Sequence, residues 1–115
     1  MRYADFLSLK QSEECNNVFS FEVKEQHLNS HGTVHGGVLY SICSEAAAKY
    51  VHRTEGREGV GAEGSIHYYR PANEGDILTI TVNTRKSGKR LSIYLTEVTN
   101  TDGKLVADMM FTVAH

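Results

Sequence analysis

The chain has 115 residues, a length that suits one domain with one core. Apolar residues make up 40% and charged residues 23%, which excludes an unstructured chain, and a net charge of −2 gives no bulk attraction to nucleic acid or to an acidic membrane. Two cysteines, Cys15 and Cys43, are too few for a disulfide framework and read as reduced thiols; with no signal peptide and no apolar run of ~18 residues, the expected location is the cytoplasm.

In chain order, residues from about Tyr3 to Lys10 suit a short helix. Val18 to Lys24 alternate, with Phe19, Phe21 and Val23 on one side and Ser20, Glu22 and Lys24 on the other, as in a half-buried strand. A polar, glycine-containing loop follows from Gln26 to Gly36. From about Gly37 to His52 the apolar residues Val38, Leu39, Ile42, Cys43, Ala46, Ala47, Tyr50 and Val51 fall at helical spacing, and Gly56 ends the helix. Four period-two runs come next: Val60, Ala62, Ile66 and Tyr68; Leu78, Ile80 and Val82; Leu91, Ile93 and Leu95; Leu105, Ala107, Met109, Phe111 and Val113. The turn signals between them predict an antiparallel meander. A sheet with one apolar face needs a cover, and the long helix is the only sizeable candidate. The pattern therefore predicts an α+β fold, an antiparallel sheet curled around one helix.

Three segments carry possible chemistry. His35-Gly36-Gly37 stands directly before the apolar helix, where the first N–H groups lack internal partners and carry partial positive charge. Glycines let foreign atoms approach that backbone, so the segment suits a carbonyl oxygen or oxyanion; equally, it suits a turn that only admits the chain to the helix. His27, His31 and His35 lie four apart, a spacing that would align metal ligands on a helix. The surrounding Ser30, Gly32, Thr33 and Gly36 favour a loop instead, and no acidic residue lies among them, so no metal is expected. His52 and His67 stand alone and read as surface or core residues. Arg85-Lys86-Ser87-Gly88-Lys89-Arg90 is a basic hairpin tip, either a solvated turn or a landing site for phosphates, and too short to argue for nucleic acid.

The pattern Asn-x-x-Gly-x-x-His-Gly-Gly is met by Asn29, Gly32, His35, Gly36 and Gly37. The helix Val38-Leu39-Tyr40-Ser41-Ile42 follows it, then Ile66-His67-Tyr68-Tyr69-Arg70-Pro71-Ala72, Gly75-Asp76, Lys86-Ser87-Gly88-Lys89 and Asp102-Gly103-Lys104-Leu105-Val106-Ala107 in order. With these segments the chain, from about Asn16 onward, resembles the hotdog-fold acyl-CoA thioesterases, in particular the PaaI-like group. The resemblance implies a sheet of five to six strands around one long central helix, forming a single domain over residues 1–115. It implies a homodimer or dimer of dimers with the active site between subunits, and coenzyme A present as part of the substrate with no other cofactor. It also implies roles. Gly36 and Gly37 would polarise the thioester carbonyl, Asn29 would help position the attacking water or the reacting group, and His35 would support the loop and the thioester end. The pantetheine arm would run towards basic residues such as Arg70, Lys86, Lys89 or Arg90.

One departure bears on the reaction. The family usually places Asp or Glu nine positions after the His of the motif, and here that position is Ser44. A serine hydroxyl holds its proton too tightly to be a base near neutral pH and only orients water by hydrogen bonding. Glu45 is next door but points about 100° away on a helix, so it would serve as a substitute only across a local bulge; otherwise it belongs to a polar stripe. Some relatives carry Ser or Thr from the facing subunit where this chain has Gly61. Glu63, two residues on, is expected on the same strand face as Gly61 and is a second reserve carboxylate. The leading expectation is hydrolysis of an acyl-CoA thioester. The alternative is a non-catalytic acyl-CoA-binding or sensing protein. A hotdog hydratase finds no support in residues 27–37, and no helix-turn-helix pair suggests a DNA-binding regulator.

Overall fold

A computed structural model describes residues 3–115. A short helix α1 (Tyr3–Leu7) leads into β1 (Lys10–Gln11) and β2 (Val18–Glu22), and a 3-10 turn at Glu25–His27 opens the loop before the long helix α2 (Gly36–Arg53). Four strands follow, β3 (Val60–Tyr68), β4 (Ile77–Ser87), β5 (Leu91–Thr99) and β6 (Leu105–Ala114). They join one antiparallel sheet of six strands in the order β1-β2-β4-β5-β6-β3. The α+β reading stands, with one long helix packed on a curled sheet.

The order differs from a simple meander in one place. β4, β5 and β6 are sequential hairpins, but β3 does not pair with β4; it crosses to the far edge and pairs with β6, leaving β4 to pair with β2. The crossing segment Tyr69–Asp76 has work of its own. Tyr69 N–H donates to Val106 O, Ala72 O accepts from Val34 N–H, and Thr33 bridges Asn73. It thereby props the loop that precedes α2. Its last turn needs the left-handed Gly75 (φ 90°) and is closed by Asp76, whose carboxylate accepts from Asn73 N–H at 2.8 Å.

The core lies between α2 and the inner sheet face. Val38, Leu39, Ile42, Cys43, Ala46, Ala47 and Val51 of α2 are buried against Phe19 and Phe21 of β2, Leu78, Ile80 and Val82 of β4, and Met109, Phe111 and Val113 of β6. β5 is out of phase with that expectation. It turns Ser92, Tyr94, Thr96 and Val98 inward, and leaves Leu91, Ile93 and Leu95 on the outer face. The inward polar groups are all bonded: Thr96 Oγ1 donates to Met109 O at 3.1 Å and Tyr94 OH to Glu55 Oε1 at 2.8 Å. That pairing makes their burial tolerable. Outside, the half-buried Leu95 stands directly across from the exposed Met110. No described helix is long and apolar enough to cross a membrane.

Cys43 is buried in this core and Cys15 is exposed. Burial, partly offset by a hydrogen bond with Thr96, pushes the Cys43 thiol up to about 11. The folded value lies above the unfolded one, so the contribution to stability is complete below about pH 8.5 and is lost as pH rises towards 11. The unfolding free energy from urea titration is therefore expected to fall across that range by up to ~3 kcal/mol, and Cys43→Ala to flatten the fall. Cys15 alone is expected to react with a thiol reagent near neutral pH.

Candidate active site at the start of the long helix

The loop before α2 is built by Asn29. Its Oδ1 accepts from the N–H groups of His31 (2.9 Å) and Thr33 (3.2 Å), and its Nδ2 donates to Thr33 Oγ1 at 3.1 Å. Its backbone closes the same turn, with Asn29 N–H to Thr33 O at 2.7 Å and Gly32 N–H to Asn29 O at 3.1 Å; Gly32 supplies the left-handed residue at φ 82°. The half-buried Asn29 side chain is thus spent mainly on its own loop. Asn29→Ala is expected to cost ~2 kcal/mol, read from urea unfolding, whereas Asn29→Asp, which keeps both backbone bonds, is expected to cost less than half of that.

The three neighbouring histidines have separate tasks and do not converge. His27 is buried between Phe6 and Phe21; its Nδ1 accepts from Lys24 N–H (2.9 Å) and its Nε2 lies 3.0 Å from Phe6 O. That pairing fixes a neutral ring with the proton on Nε2. His31 is exposed. His35 is the N-cap of α2, and its Nδ1 accepts from Gly37 N–H at 2.8 Å. The ring comes this close because residue 37 has no side chain: a Cβ there would stand 3.0 Å from Nδ1.

One expectation is sharpened by this cap. Gly36 and Gly37 were both expected to polarise a carbonyl, but the Gly37 N–H is already held by His35. The Gly36 N–H, the first of the helix, donates to nothing among the described residues. Tyr68 of β3, which sequence reasoning left without a role, donates from its hydroxyl to Gly36 O at 2.8 Å and lies 3.2 Å from where a Gly36 Cβ would sit. Burial first, then Cys43 and Tyr40, raise the Tyr68 phenol above its ordinary value, so it stays a donor. Gly36, Tyr68 and Arg70 share an open depression of about 340 Å³ with Val34, Leu39 and Ala72. Arg70 is anchored there by donating to Leu105 O at 2.7 Å.

Down the helix, the face that looks at β3 alternates bulk with space. Gly36 meets Tyr68, Tyr40 reaches into the room left by Gly64, and Ser44 comes opposite Gly61. At that third level both partners are small. A cavity of about 230 Å³ opens, lined by Ser44, Ala48, Val51, His52, Arg57, Glu58, Gly59, Gly61, Phe111 and Val113. Phe111 explains Gly61: a Cβ at residue 61 would stand 2.6 Å from its ring. Ser44 makes no hydrogen bond among the described residues and faces this space.

Neither reserve carboxylate stands beside Ser44. α2 is regular from Gly36 to Arg53, without the bulge that Glu45 would need, and Glu45 does not line the cavity. Glu63 is not on the face of Gly61. A β-bulge between them sets Gly61 opposite Val113 and Glu63 opposite Thr112, successive residues of β6 that point to opposite faces. Glu63 is therefore on the outer face, and the expectation of a shared face is corrected by that one inserted residue. Lys86, Lys89 and Arg90 belong to the β4–β5 tip, whose backbone carbonyls at Gly88 and Lys89 accept from Arg57 at 2.7 and 2.9 Å. Within one chain that tip adjoins the Ser44 cavity, away from Arg70 and Gly36.

The model of the thioesterase superfamily matches residues 31–107, which takes in the end of the loop, the helix, the strands β3, β4 and β5 and the start of β6. The chain belongs to the thioesterase superfamily. It is 37% identical over 90 residues to acyl-coenzyme A thioesterase PaaI of Escherichia coli (strain K12), covering 78% of this chain and 64% of that relative's length. The structure of the E. coli PaaI protein from the phenylacetic acid degradation operon superposes with a TM-score of 0.89 at 30% identity, covering 98% of this chain and 83% of that one. A Streptococcus mutans UA159 protein bound to acetyl CoA superposes with a TM-score of 0.87 at 25% identity, covering 95% and 89%. These thioesterase-superfamily likenesses confirm the hotdog architecture, with its central helix and six-stranded sheet.

Proposed function

We propose that this chain hydrolyses an acyl-CoA thioester to the free acid and CoA, with the thioester oxygen received by the Gly36 N–H. The observation that carries the reading is that amide: it is unbonded, stands at the positive end of an 18-residue helix, and opens on a depression flanked by Tyr68 and Arg70. His35 and Asn29 act one step back, fixing the helix start and the loop. Lys86, Lys89 and Arg90 supply positive charge for the phosphates of CoA. The kinship to a protein bound to acetyl CoA supports the ligand class.

A second copy completes the site. Gly36 and Ser44 are eight residues apart on one straight helix, about 12 Å, too far for one thioester to touch both. β3 is an edge strand of nine residues with Val60 74% exposed, the kind of edge that folded proteins cover. A two-fold homodimer joined along β3 would set one chain's Gly36 against the other's Ser44, and would bring the basic tip of one subunit towards Arg70 of the other. The apolar outer residues of β5 and β6 suit a dimer of dimers. Such an enzyme works on a cytoplasmic thioester and needs no cofactor or metal beyond the CoA of its substrate.

The vacancy at Ser44 favours one other reading, an acyl-CoA-binding protein without turnover. Thiol release from a panel of acyl-CoAs, set beside calorimetric binding of the same esters, separates the two. Release well above the solvent rate supports hydrolysis; binding with no release supports the sensor.

A further inference from the structure

Resting on the hydrolytic reading, the geometry points to the His52–Glu58 pair as the proton acceptor that replaces the missing acid at position 44. His52 is two turns beyond Ser44 on the same face of α2, and both line the 230 Å³ cavity. The titratable side chains on its wall are His52, Arg57 and Glu58. Arg57 does not accept a proton in a protein. Glu58 Oε1 faces His52 Nδ1 at 3.3 Å, an ion-pair distance at which the carboxylate favours a proton on that nitrogen and leaves Nε2 to accept. The remaining charged neighbours are committed elsewhere. Arg53 donates to Gln11 Oε1, and His115 at the end of β6 is held between Ser92 Oγ and the Glu58 carbonyl.

The separation is met by water. Eight helical residues span about 12 Å, and a cavity of this size holds several waters at roughly 30 Å³ each. Ser44 Oγ, which has no other partner, fixes the first of them. That water bonds to the thioester carbon and gives up a proton, which passes along the cavity waters to His52. The C–S bond breaks, CoA leaves as the thiolate, and His52 returns the proton to it; the acid product ionises into solvent. His52 and Glu58 have side-chain exposures of 70% and 91%, so an open end of the cavity exchanges protons with bulk water and replacing either leaves the fold intact.

The test is steady-state thiol release by the full chain across pH 5–9. His52→Gln is expected to lower kcat at least tenfold with KM within twofold, and to abolish the acid-side fall of kcat/KM; Glu58→Gln is expected to lower kcat severalfold. Added imidazole is expected to restore part of the rate to His52→Ala, and His67→Gln, on the outer face, to match the unaltered chain. Full kcat and an unchanged acid limb in His52→Gln would overturn the assignment while leaving hydrolysis standing. No thiol release by the unaltered chain on any ester would remove the hydrolytic reading itself, and this one with it.

Discussion

Ser44→Asp is expected to raise kcat for acyl-CoA hydrolysis by ~100-fold, at the low end of what a well-placed general base contributes. The room already exists. Ser44 borders a 230 Å³ cavity, and the substitution adds only a carboxyl group at a half-buried site with no hydrogen bonds to lose. The gain is also expected to become independent of His52, because a carboxylate beside the water shortens the proton's path to one step. The double variant Ser44→Asp/His52→Gln checks this by keeping the Ser44→Asp rate. Restoring a hydroxyl across the cavity is a different matter. Gly61→Ser would place its Cβ against the Phe111 ring, so it is expected to lose stability before it gains function. No increase in thiol release by Ser44→Asp would mean that the carbonyl is not presented to position 44 at all.

The largest loss of stability is expected from Gly88→Ala at the basic hairpin tip, about 3 kcal/mol or more than 10 °C in Tm. A Cβ there would run into the Leu91 carbonyl oxygen, which belongs to the backbone and cannot swing aside. The same tip is a junction. Gly88 N–H donates to Ser92 Oγ at 3.3 Å, Ser92 Oγ meets His115 Nε2 at 2.7 Å, His115 N–H donates to Arg90 O at 2.8 Å, and Arg57 donates to the Gly88 and Lys89 carbonyls. Shifting the tip therefore disturbs the wall that carries Arg57 and Glu58. Thermal unfolding of Gly88→Ala beside Ser87→Ala, an exposed neighbour, measures the effect; equal midpoints would show that the tip relaxes freely.

Much of the fold is legible in the sequence. The helix was placed within one residue at each end, because Val38 through Val51 keep a 3.6-residue period and the loop before it is polar. The six strands were legible except for β1, which at two residues is too short to show a period. What failed did so for stated physical reasons. β5 alternates in both phases, Leu91/Ile93/Leu95 against Ser92/Tyr94/Thr96/Val98, and hydrophobicity alone picks the wrong face; bonds made by Tyr94 and Thr96 decide it. Glu63 was misplaced by a bulge, which leaves no mark on period-two spacing. Tyr68 was visible within Ile66-His67-Tyr68-Tyr69-Arg70-Pro71, but its hydroxyl bond to Gly36 joins residues 32 apart, beyond any local pattern. His52 looked solitary in the sequence because Glu58 belongs to the next loop.

The crossing of β3 to the far edge sets a timetable for synthesis. β3 leaves the ribosome well before β6, yet β6 is its only partner strand among the described residues. During that interval the segment that walls the Ser44 cavity has a free edge on both sides. Its glycines at 61 and 64 then have a second use: they depress the tendency of a waiting strand to pair with whatever comes first. The wall of the Ser44 cavity is the last piece of the sheet to be laid, and Gly61, which keeps that cavity open, also keeps the strand from sticking on the way.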